Sequence, residues 1–371
     1  MRSAEQGETI TPVAYRLHET RDEARRVFNI CNACRYCEGY CAVFPAMMRR
    51  RTFDDASLDY LANLCHNCRS CYYACQYAPP HEFALNLPAT LADLRVQSWS
   101  GYAWPRGLGR AFAANGLVLA VALALGIAAM IWLASLVAPA PGAEAFYAVI
   151  PHSVMVAVFA PVFLFALLAM AVSVVRFWRA TDSPSMSGSG IRRGLSDTFT
   201  LRHLGGGHGE GCNYEAAEEY SNQRRLLHHA IFYGFMLCFA STASASVLHY
   251  AFASPAPYDL WSVPKLLGVP GGVALCIGTA GLFVLKRRSA MALGARDVRG
   301  METGFVALLF LASASGLVLY AFRGTAALEA LLAVHLGAVL AFFATLPYSK
   351  MVHGLYRVAA LIRSATADRC D

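Results

Sequence analysis

"CNACRYCEGYC" (residues 31–41) and "CHNCRSCYYAC" (residues 65–75) carry cysteines at identical gaps, with 23 residues between the two runs. Each reads C-x2-C-x2-C-x3-C, the run that bacterial ferredoxins use for cubane iron–sulfur clusters. Three thiolates on a tight turn can meet three irons of one cube, and the fourth must arrive from elsewhere. In two-cluster proteins the fourth cysteine of each run serves the other cluster. This assigns Cys31, Cys34, Cys37 and Cys75 to one 4Fe-4S cluster, and Cys65, Cys68, Cys71 and Cys41 to a second. The proline that usually follows the fourth cysteine is displaced to Pro45 and Pro79, which removes no ligand. Two other uses of cysteine compete. Structural zinc sites pair cysteines two by two. Disulfides need an oxidising compartment, and the polar start "MRSAEQGETITPVAYRLHETRDEARR" lacks the apolar core of a signal peptide. Closely spaced thiols in a reducing compartment imply metal.

The rest of the chain is of another kind. Of 371 residues, 57% are hydrophobic and 15% charged. Six apolar spans follow the boxes, at about 111–137, 147–175, 228–252, 265–285, 303–322 and 329–349. Basic residues crowd the 176–225 loop, the 286–300 loop and the C-terminal end, while the alternate loops hold only Lys265 and Arg323. By the positive-inside rule both termini and the cysteine boxes face the cytoplasm of a bacterial cytoplasmic membrane. The formal net charge of +7 is thereby explained by topology, and no nucleic-acid partner is expected.

The expected fold is mainly α, an N-terminal two-cluster domain followed by a six-helix transmembrane haem-b bundle. Residues 1–30 read as a polar arm, with "ETRDEARRVFNIC" a short helix entering the first box. Residues 31–110 hold the cluster domain and an interfacial linker; 111–355 form the transmembrane domain and 356–371 a cytoplasmic tail. Between the boxes, Leu58, Leu61 and Leu64 fall at helical spacing. Trp99, Tyr102 and Trp104 suit the headgroup region.

Ionisable residues inside a bilayer are functional candidates. The third span carries His228, His229 and His249; the sixth carries His335, with His353 just beyond it. His335 and His353 are 18 residues apart, five full helical turns, so continuous helix would put both on one face. His228 and His249, 21 apart, fall 60° short of six turns, whereas His229 and His249 point in nearly opposite directions. The two spans run antiparallel, so His228 pairs in depth with His353 at the cytoplasmic side, and His249 with His335 at the outer side. Matched histidines on antiparallel helices are what bis-histidine haem b requires, the inner pair lying nearest the clusters. His152, at the outer start of the second span, is a candidate quinone contact. Cys212, near His203 and His208, is a lesser metal candidate, and Cys238 and Cys276 read as small core residues.

The order of these features, with "LRHLGGG", "RRLLHHAIFYGF", "VPKLLGVPGG" and "LLAVHLGAVLAFFATLPYSKMVHGLYR", resembles the tricarballylate-utilisation B (CitB-type) family from Cys31 to about Ile362. The last two spans are also similar to the haem-binding gamma subunit of respiratory nitrate reductase, which shares the 18-residue histidine spacing. That subunit carries a second histidine ten residues on in its other haem-binding span, where this chain has Cys238 or Phe239. The resemblance implies an all-helical ferredoxin fold for the boxes. It also implies an FAD-dependent partner, tricarballylate dehydrogenase, whose electrons pass through the clusters and haem to membrane quinone. The chain carries no dinucleotide fingerprint, since "LGGGHGEGC" follows no strand. An electron-transfer component of an oxidoreductase system is therefore the leading reading. The membrane subunit of another dehydrogenase or reductase, such as a heterodisulfide-reductase-like complex, is the alternative. A redox sensor or transporter is a third, against which stand the missing output domain and the lack of paired broken helices.

Overall fold

The computed structural model describes residues 12–108, 121, 123–129, 131–132, 147, 149–181, 185–206, 209–214, 219–288, 293–295 and 299–367. The chain is mainly α. Five short or medium helices make the cysteine-bearing part: α1 (Pro12–Cys34), α2 (Val43–Met48), α3 (Asp55–Leu64), α4 (Ser70–Tyr73) and α5 (Leu87–Tyr102). Their starts are set locally. Asp54 caps α3 by accepting the Ser57 N–H at 2.9 Å. Asn86 caps α5, whose first turn holds Pro88 and whose Ala89 N–H reaches the Asn86 side chain at 3.2 Å. The leucines read as one helical face, Leu58, Leu61 and Leu64, are all fully buried.

The supposed polar arm is in large part structural. Ala24, Val27 and Phe28 on α1 are fully buried, and its outer face is tied down by Arg21 on Asp59 at 3.1 Å and Arg25 on Asp55 at 2.5 Å. Trp99 and Tyr102, expected among headgroups, instead enter the core of this part. Trp99 donates its indole N–H to Asn63 at 3.0 Å, and the Tyr102 hydroxyl donates to Asp59 at 2.7 Å. The polar handle of each ring finds a buried partner there, which an interfacial position would have left to water.

Among the described residues, five helices are long and apolar enough to cross a membrane. They are α6 (His152–Ala180), α8 (Gln223–Phe252), α9 (Val263–Arg288), α10 (Arg299–Phe322) and α11 (Leu328–Thr345), the last continued by a 3₁₀ turn over Leu346–Tyr348. The first expected span, 111–137, lies mostly outside the described residues. Gly234 on α8 and Gly271 on α9 bring two backbones together: a Cβ on either would lie 2.9 Å from the other's carbonyl oxygen. Small residues at such crossings are how apolar helices approach closely in lipid.

Between α6 and α8 runs α7 (Gly188–Phe199), then a 3₁₀ turn over Arg202–Gly205 and a two-stranded antiparallel hairpin, β1 (Cys212–Tyr214) and β2 (Glu219–Ser221). The last described helix is α12 (Val352–Ala367). Its C-terminal part was read as a tail, yet Tyr356, Ala360 and Leu361 are fully buried in one core with α1, α3 and α5. Arg363 of α12 stacks over the buried Tyr60 ring at 4.1 Å. The helix thus joins the end of the last span to the cysteine part.

Candidate functional site: two cysteine sets against a histidine pair

The two boxes share a backbone device. Cys31 and Cys34 close α1, Cys65 caps α3, and the residue after the second cysteine of each box is left-handed: Arg35 at φ 57° and Arg69 at φ 68°. A non-glycine residue in that region turns the chain sharply. Here it brings the third cysteine back toward the first two.

The sulfurs fall into two adjoining groups. Cys31, Cys34, Cys37 and Cys75 line one cavity together with Cys71, Phe44 and Tyr77. Burial, with Cys75 and Cys34 close by, pushes the Cys31 and Cys37 thiols up to about 12. Cys41 lies instead with Cys68 and Cys65, and Cys71 with all three; burial and these neighbours push the Cys41 and Cys71 thiols well up. Cys71 also feels Cys37, so the sets adjoin. Such thiols stay protonated near neutrality unless a metal displaces the proton. Among the described residues no three His, Cys, Asp or Glu side chains converge as ligands of a single ion do. A cube with an iron at each ligated corner holds its thiolates further apart than one ion would. Donors to sulfur are also present, with the Asn67 N–H on Cys65 at 3.3 Å and the Gln76 amide on Cys34 at 3.9 Å.

Leu201, Leu204 and Cys212 cluster against Cys68 of the second box. The Asn213 N–H donates to the Cys68 carbonyl at 3.2 Å, and Cys212, 1% exposed, packs against Cys68. His66 is buried, its Nδ1 2.9 Å from the Leu64 carbonyl and its ring 5.5 Å from that of His203. His203 in turn lies 3.7 Å from Asp197; His208 is outside the described residues. Burial and the neighbouring Arg95 and Arg224 push the Arg357 guanidinium down to about 9.

Near the start of α8 and the start of α12, the His228 and His353 rings lie edge to face with centroids 6.0 Å apart. The Nδ1 of His353 is hydrogen-bonded to the Lys350 carbonyl, which leaves Nε2 for a metal, the usual orienting contact of a ligand histidine. His228 keeps a buried Nδ1 with no partner. These two residues would hold a haem b between two imidazoles, and that group would supply one-electron redox chemistry. His229 turns elsewhere, its ring 5.7 Å from that of Tyr233. Trp99 of the cysteine part lies 6.4 Å from the His353 ring, so the pair adjoins that core directly.

The outer pair is not assembled. The His249 ring stacks on His152 at 4.0 Å, and His152 Nε2 meets the Tyr250 hydroxyl at 2.9 Å. His335 sits apart, Nδ1 3.1 Å from Ser315 Oγ and its ring filling the notch at Gly316. The five-turn count from His335 to His353 fails because α11 ends at Thr345. The 3₁₀ turn at Leu346–Tyr348, containing Pro347, and the loop through Met351 then place His353 on a separate helix.

A family model described as "Citrate utilization protein B Fer4-like domain" matches residues 24–101, and one described as "Citrate utilization protein B" matches residues 108–371. The chain belongs to the citrate utilization protein B family. A relative of that name from Escherichia coli is 44% identical over 358 residues, 95% of this chain and 94% of the relative. No solved structure matches. The cysteine part is thus the CitB Fer4-like, iron–sulfur domain, and the five apolar helices belong to the CitB region that follows it.

Proposed function

We propose that this CitB-family chain is a membrane electron-transfer protein that passes electrons from a partner dehydrogenase's reduced FAD to quinone. Two 4Fe-4S clusters and an inner haem b are the cofactors of this reading. When bound, they supply one-electron redox chemistry. The observation that carries the reading is the abutment of the crossed cysteine sets on His228 and His353 through α5 and α12. Two interleaved thiolate sets have one economical use, a line of single-electron carriers. Here the line ends at a histidine pair at the edge of the membrane helices.

The protein's own part is positional and electrostatic. Cys31, Cys34, Cys37 and Cys75 hold the first cluster and Cys65, Cys68, Cys71 and Cys41 the second, all eight being half-buried. His353 is aimed by the Lys350 carbonyl. In this reading the cysteine domain faces the cytoplasm, the side that the basic loops favour. The relative's name refers to citrate use, and the resemblance above points to tricarballylate, so the partner's substrate is a tricarboxylate.

The test uses full-length protein in proteoliposomes containing ubiquinone or menaquinone. Dithionite reduction should bring up cluster and b-type signals, and added quinone should reoxidise both at matching rates. A chain that carries iron yet is not reoxidised by either quinone refutes the quinone end of the relay. Reduction by a flavin-loaded tricarballylate dehydrogenase plus substrate tests the other end.

A further inference from the structure

Three arginines converge on the backbone of the second cysteine box. Arg95, buried in α5, donates from Nη1 to the Cys65 carbonyl at 2.9 Å. Arg357 of α12 donates from Nη2 to the same carbonyl at 2.8 Å. Arg224 of α8 donates from Nη1 to the Asn67 carbonyl at 2.7 Å and lies 3.9 Å from Cys212 Sγ. The sequence positions have a pattern. Arg224 is four residues before His228 and Arg357 four after His353, so each facing histidine shares a helix face with an arginine that grips the box.

Among the described residues no carboxylate lies within ion-pair distance of Arg95 or Arg357. The first box differs. Arg35, which donates to the Asn32 carbonyl at 3.1 Å, is exposed, where water and salt screen its charge. An anionic cluster gains further negative charge on reduction, and cations in a partly buried, weakly screened shell favour that reduced form.

Building on the two-cluster reading above, we propose that Arg95, Arg224 and Arg357 are positioning residues that raise the reduction potential of the second cluster over the first. An electron arriving at the Cys31 set from a reduced flavin then falls to the Cys65 set, beside the histidine pair. The step oxidises one cluster and reduces the other by one electron; no bond forms or breaks and no proton moves.

Redox titration of the full-length protein, followed by electron paramagnetic resonance, tests this. Arg357→Gln and Arg95→Gln should each lower the potential of one cluster and leave the other unmoved, with total iron unchanged. Arg357→Lys, which keeps the charge, should restore most of the shift. Using two positions on different helices guards against one variant failing to assemble. Equal shifts of both clusters, or no shift at full iron content, overturn the assignment. A wild-type chain with a single cluster signal instead refutes the two-cluster reading, and is seen before any variant is made.

Discussion

Replacing Glu302 with glutamine should loosen the junction that aims His353. Glu302, in the first turn of α10, accepts Lys286 Nζ from the end of α9 at 2.5 Å and Lys350 Nζ at 2.5 Å. Lys350 also lends its carbonyl to His353 Nδ1. The carboxylate side chain is 24% exposed and the lysines 35% and 32%, so water reaches the site in part. Unit charges about 4 Å apart interact by about 4 kcal/mol at an effective dielectric near 20. Removing the central charge forfeits two such attractions and leaves two ammonium groups facing each other. Breaking a buried pair costs about 3–5 kcal/mol, and partial exposure brings the expectation for Glu302→Gln to about 2–3 kcal/mol. Lys350→Met leaves a neutral Lys286–Glu302 pair and should cost about 1 kcal/mol. The double variant Glu302→Gln/Lys350→Met removes the facing cations and should therefore be more stable than Glu302→Gln alone, a non-additivity of about 2 kcal/mol. Thermal midpoints in detergent rank the three variants, and haem absorbance during the melt reports on His353. Equal destabilisation by Glu302→Gln and Lys350→Met, or strict additivity in the double variant, refutes the clamp.

Three further outcomes follow from other parts of the molecule. Gly271→Ala places a Cβ 2.9 Å from both the Gly234 carbonyl and Leu237 Cβ, so α8 and α9 must separate, at a cost of about 1–3 kcal/mol; an unchanged melting temperature contradicts that crossing. Cys75→Ser should remove the signal of the cluster held by the first box and Cys41→Ser that of the second, and loss of the opposite signal in either case refutes the crossed ligation. Iron retention should fall steeply on acidification. The metal-free thiols of Cys31 and Cys37 titrate at about 12, so iron binding releases at least two protons near neutrality. Those two alone make apparent affinity drop about 100-fold per unit of pH lowered. Without metal the sign reverses: the neutral thiols favour the folded state throughout the neutral range, and that contribution is lost only as pH rises toward about 12. A colorimetric chelator across a pH series reads the loaded case, and pH-independent iron release refutes it.

Much of the site was legible because cysteine spacing constrains geometry directly. The swap of Cys41 and Cys75 between sets is a property of the run, and it survives the details of the helices around it. The histidines were legible only in part. His228 and His353 sit near helix ends, and their rings lie 6.0 Å apart. His249 and His335 depended on continuous helix from 335 to 353, and the break at Leu346–Met351 carries that phase away. The stacking of His249 on His152 joins helices distant in sequence, and periodicity within one span carries no signal of it. The last helix was misread because "GLYRVAALIRSATA" has too little apolar residue for a span; its buried face is answered by α1, α3 and α5, far back in the chain. Strands as short as Cys212–Tyr214 and Glu219–Ser221 show no alternation to read, so the cover over the second box and the placing of Cys212 beside Cys68 were also out of reach.

The most direct test is the cofactor count of the purified full-length chain, with variants at each histidine. The account predicts about eight non-haem irons from two cubane clusters and one b-type haem per chain. The haem should be lost in His228→Ala and His353→Ala and kept in His249→Ala, His335→Ala and His229→Ala. Zinc in place of iron, or a haem that persists without His353 and disappears without His335, would contradict it.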